Sequence, residues 1–151
     1  MDLARQFLAQ HKIKPSMQRL EVMRYLLNNR NHPTADDIYN ALHCNLPTLS
    51  KTTVYNTLRV LLDKGAVASI NIEENVVHFD GIVKPHAHFF CVECSKIFDV
   101  PMEPTLLGHD NCPEGSLVFD TQLYHRGYCK HCLEKHIRKN KKKIKKNNTN
   151  K

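Results

Sequence analysis

Apolar residues recur at helical spacing through the first 65 positions and then switch to alternation. Leu3, Phe7 and Leu8 begin one helical stripe. Leu20, Met23, Leu26 and Leu27 form a second; it is entered at Ser16, which follows Pro15 and carries a hydroxyl able to cap the helix. Thr34 is the next predicted N-cap, with Pro33 before it, Asp36 and Asp37 in the first turn where carboxylates complement the helix dipole, and Ile38, Tyr39, Ala41 and Leu42 following. Over S-K-T-T-V-Y-N-T-L-R-V-L-L-D-K-G, residues 50–65, Val54, Leu58, Leu61 and Leu62 share one face and Gly65 supplies the stop. V-A-S-I-N and N-V-V-H-F-D then flank the polar turn I-E-E-N, which predicts a two-stranded hairpin. Three helices with a hairpin make a winged helix-turn-helix over residues 1–80.

Residues 81–85, G-I-V-K-P, read as a hinge. Beyond it, H-A-H-F-F and K-I-F-D-V predict strands around a C-x-x-C turn, S-L-V-F-D-T-Q-L-Y another strand, and L-E-K-H-I-R a closing helix. A short helix is expected within 101–116, confined by prolines on both sides. The expected class is α/β: the winged helix-turn-helix, a second α/β unit over 86–137, and a disordered basic tail over 138–151.

The chain has 151 residues, enough for one domain or two small ones, and small units have thin cores that a structural metal can staple. No apolar run approaches the roughly 18 residues of a membrane span. The start, Met1-Asp2-Leu3-Ala4-Arg5-Gln6, lacks the basic and apolar regions of a secretory signal, so a soluble, cytoplasmic protein is expected. The formal net charge is +7, yet residues 138–151 alone hold eight of the 22 Lys and Arg and no acid; with those eight set aside, +7 falls to −1. The high pI therefore belongs to the tail, which reads either as a solvated end or as a non-specific phosphate contact. On helix 50–65, Thr52, Thr53, Tyr55, Asn56 and Arg59 lie largely off the apolar face. Their hydroxyls, amide and guanidinium suit phosphates and base edges, although polar faces are also common on ordinary surface helices.

Cys91, Cys94, Cys129 and Cys132 form C-x2-C, a gap of 34 residues, and a second C-x2-C. Each pair turns tightly enough to offer two thiolates to one ion, and four thiolates close a tetrahedron around zinc with no open position. The competing reading is a thiol–disulfide oxidoreductase, because C-K-H-C ahead of L-E-K-H-I-R places a cysteine at a helix N-terminus. No second catalytic group accompanies it, so no catalytic residue is assigned and an enzyme is not expected. A different donor set stands apart from the sulfurs. His86 and His88 are i and i+2 on an expected strand, Asp99 lies on the next strand, Asp80 precedes the hinge, and His32 precedes a helix. Mixed nitrogen and oxygen donors suit iron, manganese or zinc and tolerate a vacant position. Singly, each is also an ordinary surface or hydrogen-bonding residue, and spacing alone does not bring them together. Cys44 and Cys112 are expected as buried or partly buried thiols; His11, His43, His78, His109, His125, His131 and His136 are expected at the surface.

Three motifs carry a resemblance: T-T-V-Y-N-T-L-R-V-L, the block H-x-H-F-x-C-x-x-C-x-x-x-x-D, and the closing C-x-x-C. Over residues 5–137 the chain resembles the ferric uptake regulator (Fur) superfamily of bacterial metal-dependent repressors, and within it the peroxide-sensing PerR-type repressors. The resemblance implies a homodimer on palindromic operator DNA, one structural Zn²⁺ per subunit on the four cysteines, and one regulatory Fe²⁺ or Mn²⁺ on His32, Asp80, His86, His88 and Asp99. Asp rather than Glu at position 99 resembles the peroxide sensors more than the iron-uptake regulators. It further implies that His32 or His86 is oxidised by hydrogen peroxide at the iron site, as 2-oxo-histidine, releasing the DNA. An iron- or zinc-uptake repressor of the same architecture, sensing metal level, is the nearest alternative. For DNA, Tyr55 is expected against a thymine methyl, with Asn56 and Arg59 on phosphates or bases, Thr52 and Thr53 beside them, and Lys14 and Arg19 at the backbone. The chain departs from the family pattern at Ser95, where glycine usually follows the C-x-x-C, with little effect expected in a turn. Pro85 and Ala87 replace further ligands found in iron-uptake relatives, which argues against an auxiliary third metal site.

Overall fold

The computed structural model describes residues 2–103 and 112–148, with side chains up to Lys139. The chain divides into two compact units, Met1–Lys84 and Pro85–Lys151. No described helix is long and apolar enough to cross a membrane.

The first unit contains α1 (Leu3–Gln10), α2 (Met17–Asn28), α3 (Ala35–Leu42), α4 (Lys51–Asp63) and the hairpin β1 (Ala68–Glu73) and β2 (Val76–Asp80). Hydroxyl caps set the helix starts. Ser16 accepts from the Arg19 N–H, Ser50 from the Thr53 N–H, and Thr34 forms a reciprocal capping box with Asp37. At the end of α4, Gly65 takes the left-handed conformation (φ 63°), and the amides of Gly65 and Ala66 return to the carbonyls of Leu62 and Leu61. That arrangement satisfies the last carbonyls and turns the chain into the hairpin. Leu8, Met23, Ile38, Leu58 and Leu61 are fully buried where the helices meet, each contributing about 1.5–3 kcal/mol of apolar burial. The winged helix-turn-helix is thus α2, α3, α4 and the hairpin, with α1 packed in front.

The second unit contains β3 (Ala87–Cys91), β4 (Ile97–Val100), β5 (Tyr124–Gly127) and α5 (Lys130–Asn148). The sheet order is β4-β3-β5, antiparallel between β3 and β4 and parallel between β3 and β5. Two expectations need correction here. The stretch 116–123 is not a strand: only Tyr124–Gly127 pairs, while Leu117 and Phe119 are exposed at 76% and 92%. Its alternating apolar pattern has no neighbouring strand in the described chain to pair with. The stretch 138–148, expected as a disordered tail, continues α5. No Gly or Pro interrupts it after Lys130, and lysine is a good helix former. The short helix expected within 101–116 falls largely on residues 104–111, outside the described residues.

Candidate metal centres and nucleic-acid face

The sulfur site is built by the sheet of the second unit. β3 ends at Cys91, the chain turns through Cys94, and the Ser95 amide returns to the Cys91 carbonyl at 2.8 Å. Parallel pairing sets Gly127 opposite Cys91, which delivers Cys129 beside the turn, and the first turn of α5 brings in Cys132. The four Sγ atoms lie within 4.8 Å of one another, with Cys94 and Cys129 at 3.9 Å. A tetrahedron with Zn–S of about 2.3 Å needs sulfurs about 3.8 Å apart, so the cluster fits a structural zinc.

Electrostatics agree with that fit. Burial raises the Cys91 thiol, but the backbone amides of Cys129, Cys94 and Glu93 and the Cys94 side chain outweigh it, and its pKa falls to about 6. The Cys129 N–H donates to Cys91 Sγ at 3.2 Å. Burial, then the neighbouring thiols, pushes Cys132 up to about 12. Cys91 is prepared as a thiolate and Cys132 resists ionising beside it, a conflict that a bound dication removes. Both C-x-x-C pairs meet at one point, which leaves neither as the separate dithiol an oxidoreductase needs.

Ser95 is more consequential than its turn position suggested, because its φ is 54°. That region costs an ordinary L-residue about 1 kcal/mol and glycine almost nothing. Ser95→Gly should therefore stabilise the zinc-loaded chain by up to about 1 kcal/mol, read as a higher denaturation midpoint at unchanged zinc content; an unchanged or lower midpoint would refute the strain.

The imidazole and carboxylate donors form two groups, each within its own unit. In the first, His32 is buried ahead of α3 with φ 49°, and Asp80 is buried at the end of β2. Asp80 divides its oxygens: Oδ1 accepts the Ile82 N–H at 2.8 Å, and Oδ2 lies 4.0 Å from His32 Nε2. In the second, His88 on β3 stands opposite Asp99 on β4. His86 lies just before β3; its Nε2 is 3.4 Å from Asp99 Oδ1, and its ring centroid is 4.5 Å from that of His88. Cis donors on a first-row ion at about 2.0–2.2 Å sit about 3–4 Å apart, so both groups have the spacing and the chemistry to bind one.

The polar face of α4 exposes Thr52, Tyr55, Asn56 and Arg59, while Thr53 is half-buried with its hydroxyl against Ser50 at 2.8 Å. Tyr55, Asn56 and Arg59 line a groove of about 700 Å³ shared with Asn75, Val76 and Val77 of the hairpin. Lys14, Arg19, Thr53 and Asn56 line a second cleft of about 360 Å³, and the Arg19 guanidinium donates to the Lys14 carbonyl at 2.8 Å. Asn56 borders both.

The ferric uptake regulator family pattern matches residues 10–111. This chain belongs to that family. The PerR peroxide-responsive repressor of Staphylococcus aureus (strain Mu50 / ATCC 700699) is 36% identical over 132 residues, covering 85% of this chain and 88% of that protein. In fold, the chain is similar to the Helicobacter pylori ferric uptake regulator, with TM-score 0.66, 20% identity, and coverage of 85% of this chain and 88% of that one. It is also similar to the Francisella tularensis regulator solved with iron, with TM-score 0.64, 22% identity, and coverage of 80% and 94%. The chain is a metal-dependent regulator of the ferric uptake regulator family.

Three surface and core assignments change on this fold. Cys44 and Cys112 are exposed rather than buried: Cys44 sits in the turn after α3, with its Sγ 3.6 Å from His43 Nε2, and Cys112 sits in a bend. His78 is buried, not at the surface: its Nδ1 lies 2.8 Å from the His32 carbonyl oxygen and its Nε2 3.0 Å from Glu73. His109 lies outside the described residues. Lys51 was not singled out from sequence. It bonds Asp36 at 2.8 Å and lies over the Tyr39 ring, and the Asp36 bond raises its pKa.

Proposed function

We propose that the chain is a peroxide-responsive repressor that binds palindromic operator DNA as a homodimer. The observation that carries this reading is the separation of donors by chemistry: four thiols meet in a closed cluster, while His32 with Asp80 and His86 with His88 and Asp99 offer only nitrogen and oxygen. Two donors or three leave a first-row ion short of its preferred coordination number; the two groups together supply five and leave room for an outside molecule. Because one group belongs to each unit, a shared ion ties the winged helix to the second unit at one angle. That shifts the population toward the DNA-competent form. Moving the balance from 1:99 to 99:1 takes about 5.5 kcal/mol of differential affinity, within the range of chelation.

Tyr55, Asn56 and Arg59 face the operator from α4, with Tyr55 against a thymine methyl and the amide and guanidinium on bases or phosphates. Thr52 and Thr53 add hydroxyl contacts, and Lys14 and Arg19 hold the backbone beside the second cleft. The apolar side chains of Leu117 and Phe119, exposed on a single subunit, supply surface for a second copy to cover. Held by these five residues, ferrous iron would cleave hydrogen peroxide, one oxygen going to the imidazole carbon of His32 or His86 and the other leaving as water; the 2-oxo-histidine so formed would be a poor donor and would let the two units part. The event consumes the regulator rather than turning over, so it is a switch and not an enzyme. The likeness to the S. aureus peroxide-responsive repressor supports this choice.

The test uses a palindromic duplex selected from a random-sequence pool by the manganese-loaded protein. Fluorescence anisotropy should show hydrogen peroxide releasing that duplex from the iron form and leaving the manganese form bound. Release from neither, with binding that simply follows metal concentration, would favour a metal-level sensor.

A further inference from the structure

His32 holds a backbone conformation that L-residues rarely adopt, with φ 49°. Such a conformation persists only where its surroundings over-determine it. Here β2 does so through three contacts. The Phe79 N–H donates to the Pro33 carbonyl at 2.9 Å, Thr34 forms an isolated bridge with His78, and His78 Nδ1 lies 2.8 Å from the His32 carbonyl oxygen. A carbonyl only accepts, so Nδ1 carries the hydrogen and donates it. The other ring nitrogen lies 3.0 Å from Glu73 Oε2 on β1, which fixes the plane of the imidazole. His78 as a whole is 8% exposed.

We propose that His78, oriented by Glu73, is the positioning residue that locks the His32 peptide so that the His32 imidazole points at the regulatory metal. The proposal rests on the five-donor reading. The direction of a Cα–Cβ bond follows φ, and relaxing residue 32 to an ordinary negative φ swings its side chain away from Asp80 Oδ2, now 4.0 Å from Nε2. His78 and Asp80 lie two apart on β2, so one strand carries the second donor and clamps the first. His78 does not ligate: its two nitrogens serve the His32 carbonyl and the Glu73 carboxylate.

Two substitutions separate the nitrogens. Asn places an amide N–H where Nδ1 stands but does not reach Glu73; Gln reaches toward Glu73 but offers no donor at the Nδ1 position. Mn²⁺ affinity is measured on the full-length, zinc-loaded chain by titration, with zinc content and thermal unfolding followed in parallel. His78→Gln should weaken Mn²⁺ binding about 10- to 100-fold, as loss of a supporting partner does at other metal sites, whereas His78→Asn should stay within about threefold of the parent at equal thermal stability. In a His32→Asn background, His78→Gln should cost nothing further. Equal losses for the two substitutions, or an undiminished loss without His32, would overturn the clamp. Should His78→Gln not fold, His78→Leu removes the same donor and should weaken Mn²⁺ binding; unchanged affinity there would overturn the clamp equally. If His32→Asn itself leaves Mn²⁺ affinity unchanged, the five-donor reading fails, a result distinct from failure of the clamp alone.

Discussion

Cys94→Ala should abolish zinc binding and unfold the carboxy-terminal unit of the chain while leaving the helical unit folded. Among the described residues, the buried apolar side chains of the second unit are Ala87, Phe90, Cys91, Ile97 and Cys132, and two of these are members of the sulfur cluster. Its three strands are four or five residues long. So thin a core does not offset the conformational entropy of ordering the unit. Structural zinc contributes about 10–16 kcal/mol of apparent binding energy near neutral pH in small zinc modules, and that energy is folding energy. The first unit keeps a core of its own around Leu8, Met23, Ile38 and Leu58. In an amide correlation spectrum, signals of the second unit should collapse to the unfolded region with those of α1–α4 dispersed. A Cys94→Ala chain that retained dispersed β3–β5 signals would show that zinc is dispensable for the fold.

His32→Asn should weaken Mn²⁺ binding by more than about 100-fold, because supporting partners alone cost about 10- to 100-fold and a direct donor is worth more. Asparagine is the informative replacement. It tolerates the left-handed backbone that position 32 requires, so stability and zinc content should hold while the imidazole is lost. Operator affinity should fall with metal affinity, since the helical unit would no longer be tied by the ion to its companion. Parent-like Mn²⁺ affinity in this variant would remove His32 from the site and, with it, the link between metal and DNA.

The helical half was readable because its signals are local. Ser16 and Thr34 sit one residue before the helices they cap, and Gly65 marks a stop that only a residue free to adopt positive φ makes without strain. The C-x-x-C turn announced the β3–β4 hairpin for the same reason. Features that depend on distant partners were not readable. β5 pairs in parallel with β3, which no short turn signals, so the alternating stretch before Tyr124 drew the strand too early. His78 looked like any surface histidine because its carbonyl partner lies 46 residues away. In the candidate site, donor chemistry separated sulfur from imidazole and carboxylate. Proximity did not follow from spacing: Cys129 reaches Cys91 only through the β3–β5 pairing, and Asp99 meets His88 only through the β3–β4 register.

Peptide mass mapping of the iron-loaded, zinc-replete chain after brief exposure to low hydrogen peroxide tests the central claim most directly. The account predicts one added oxygen on the peptides carrying His32 or His86, none when manganese replaces iron, and intact Cys91, Cys94, Cys129 and Cys132. Unmodified histidines in iron-loaded protein that has nonetheless released its DNA would contradict it.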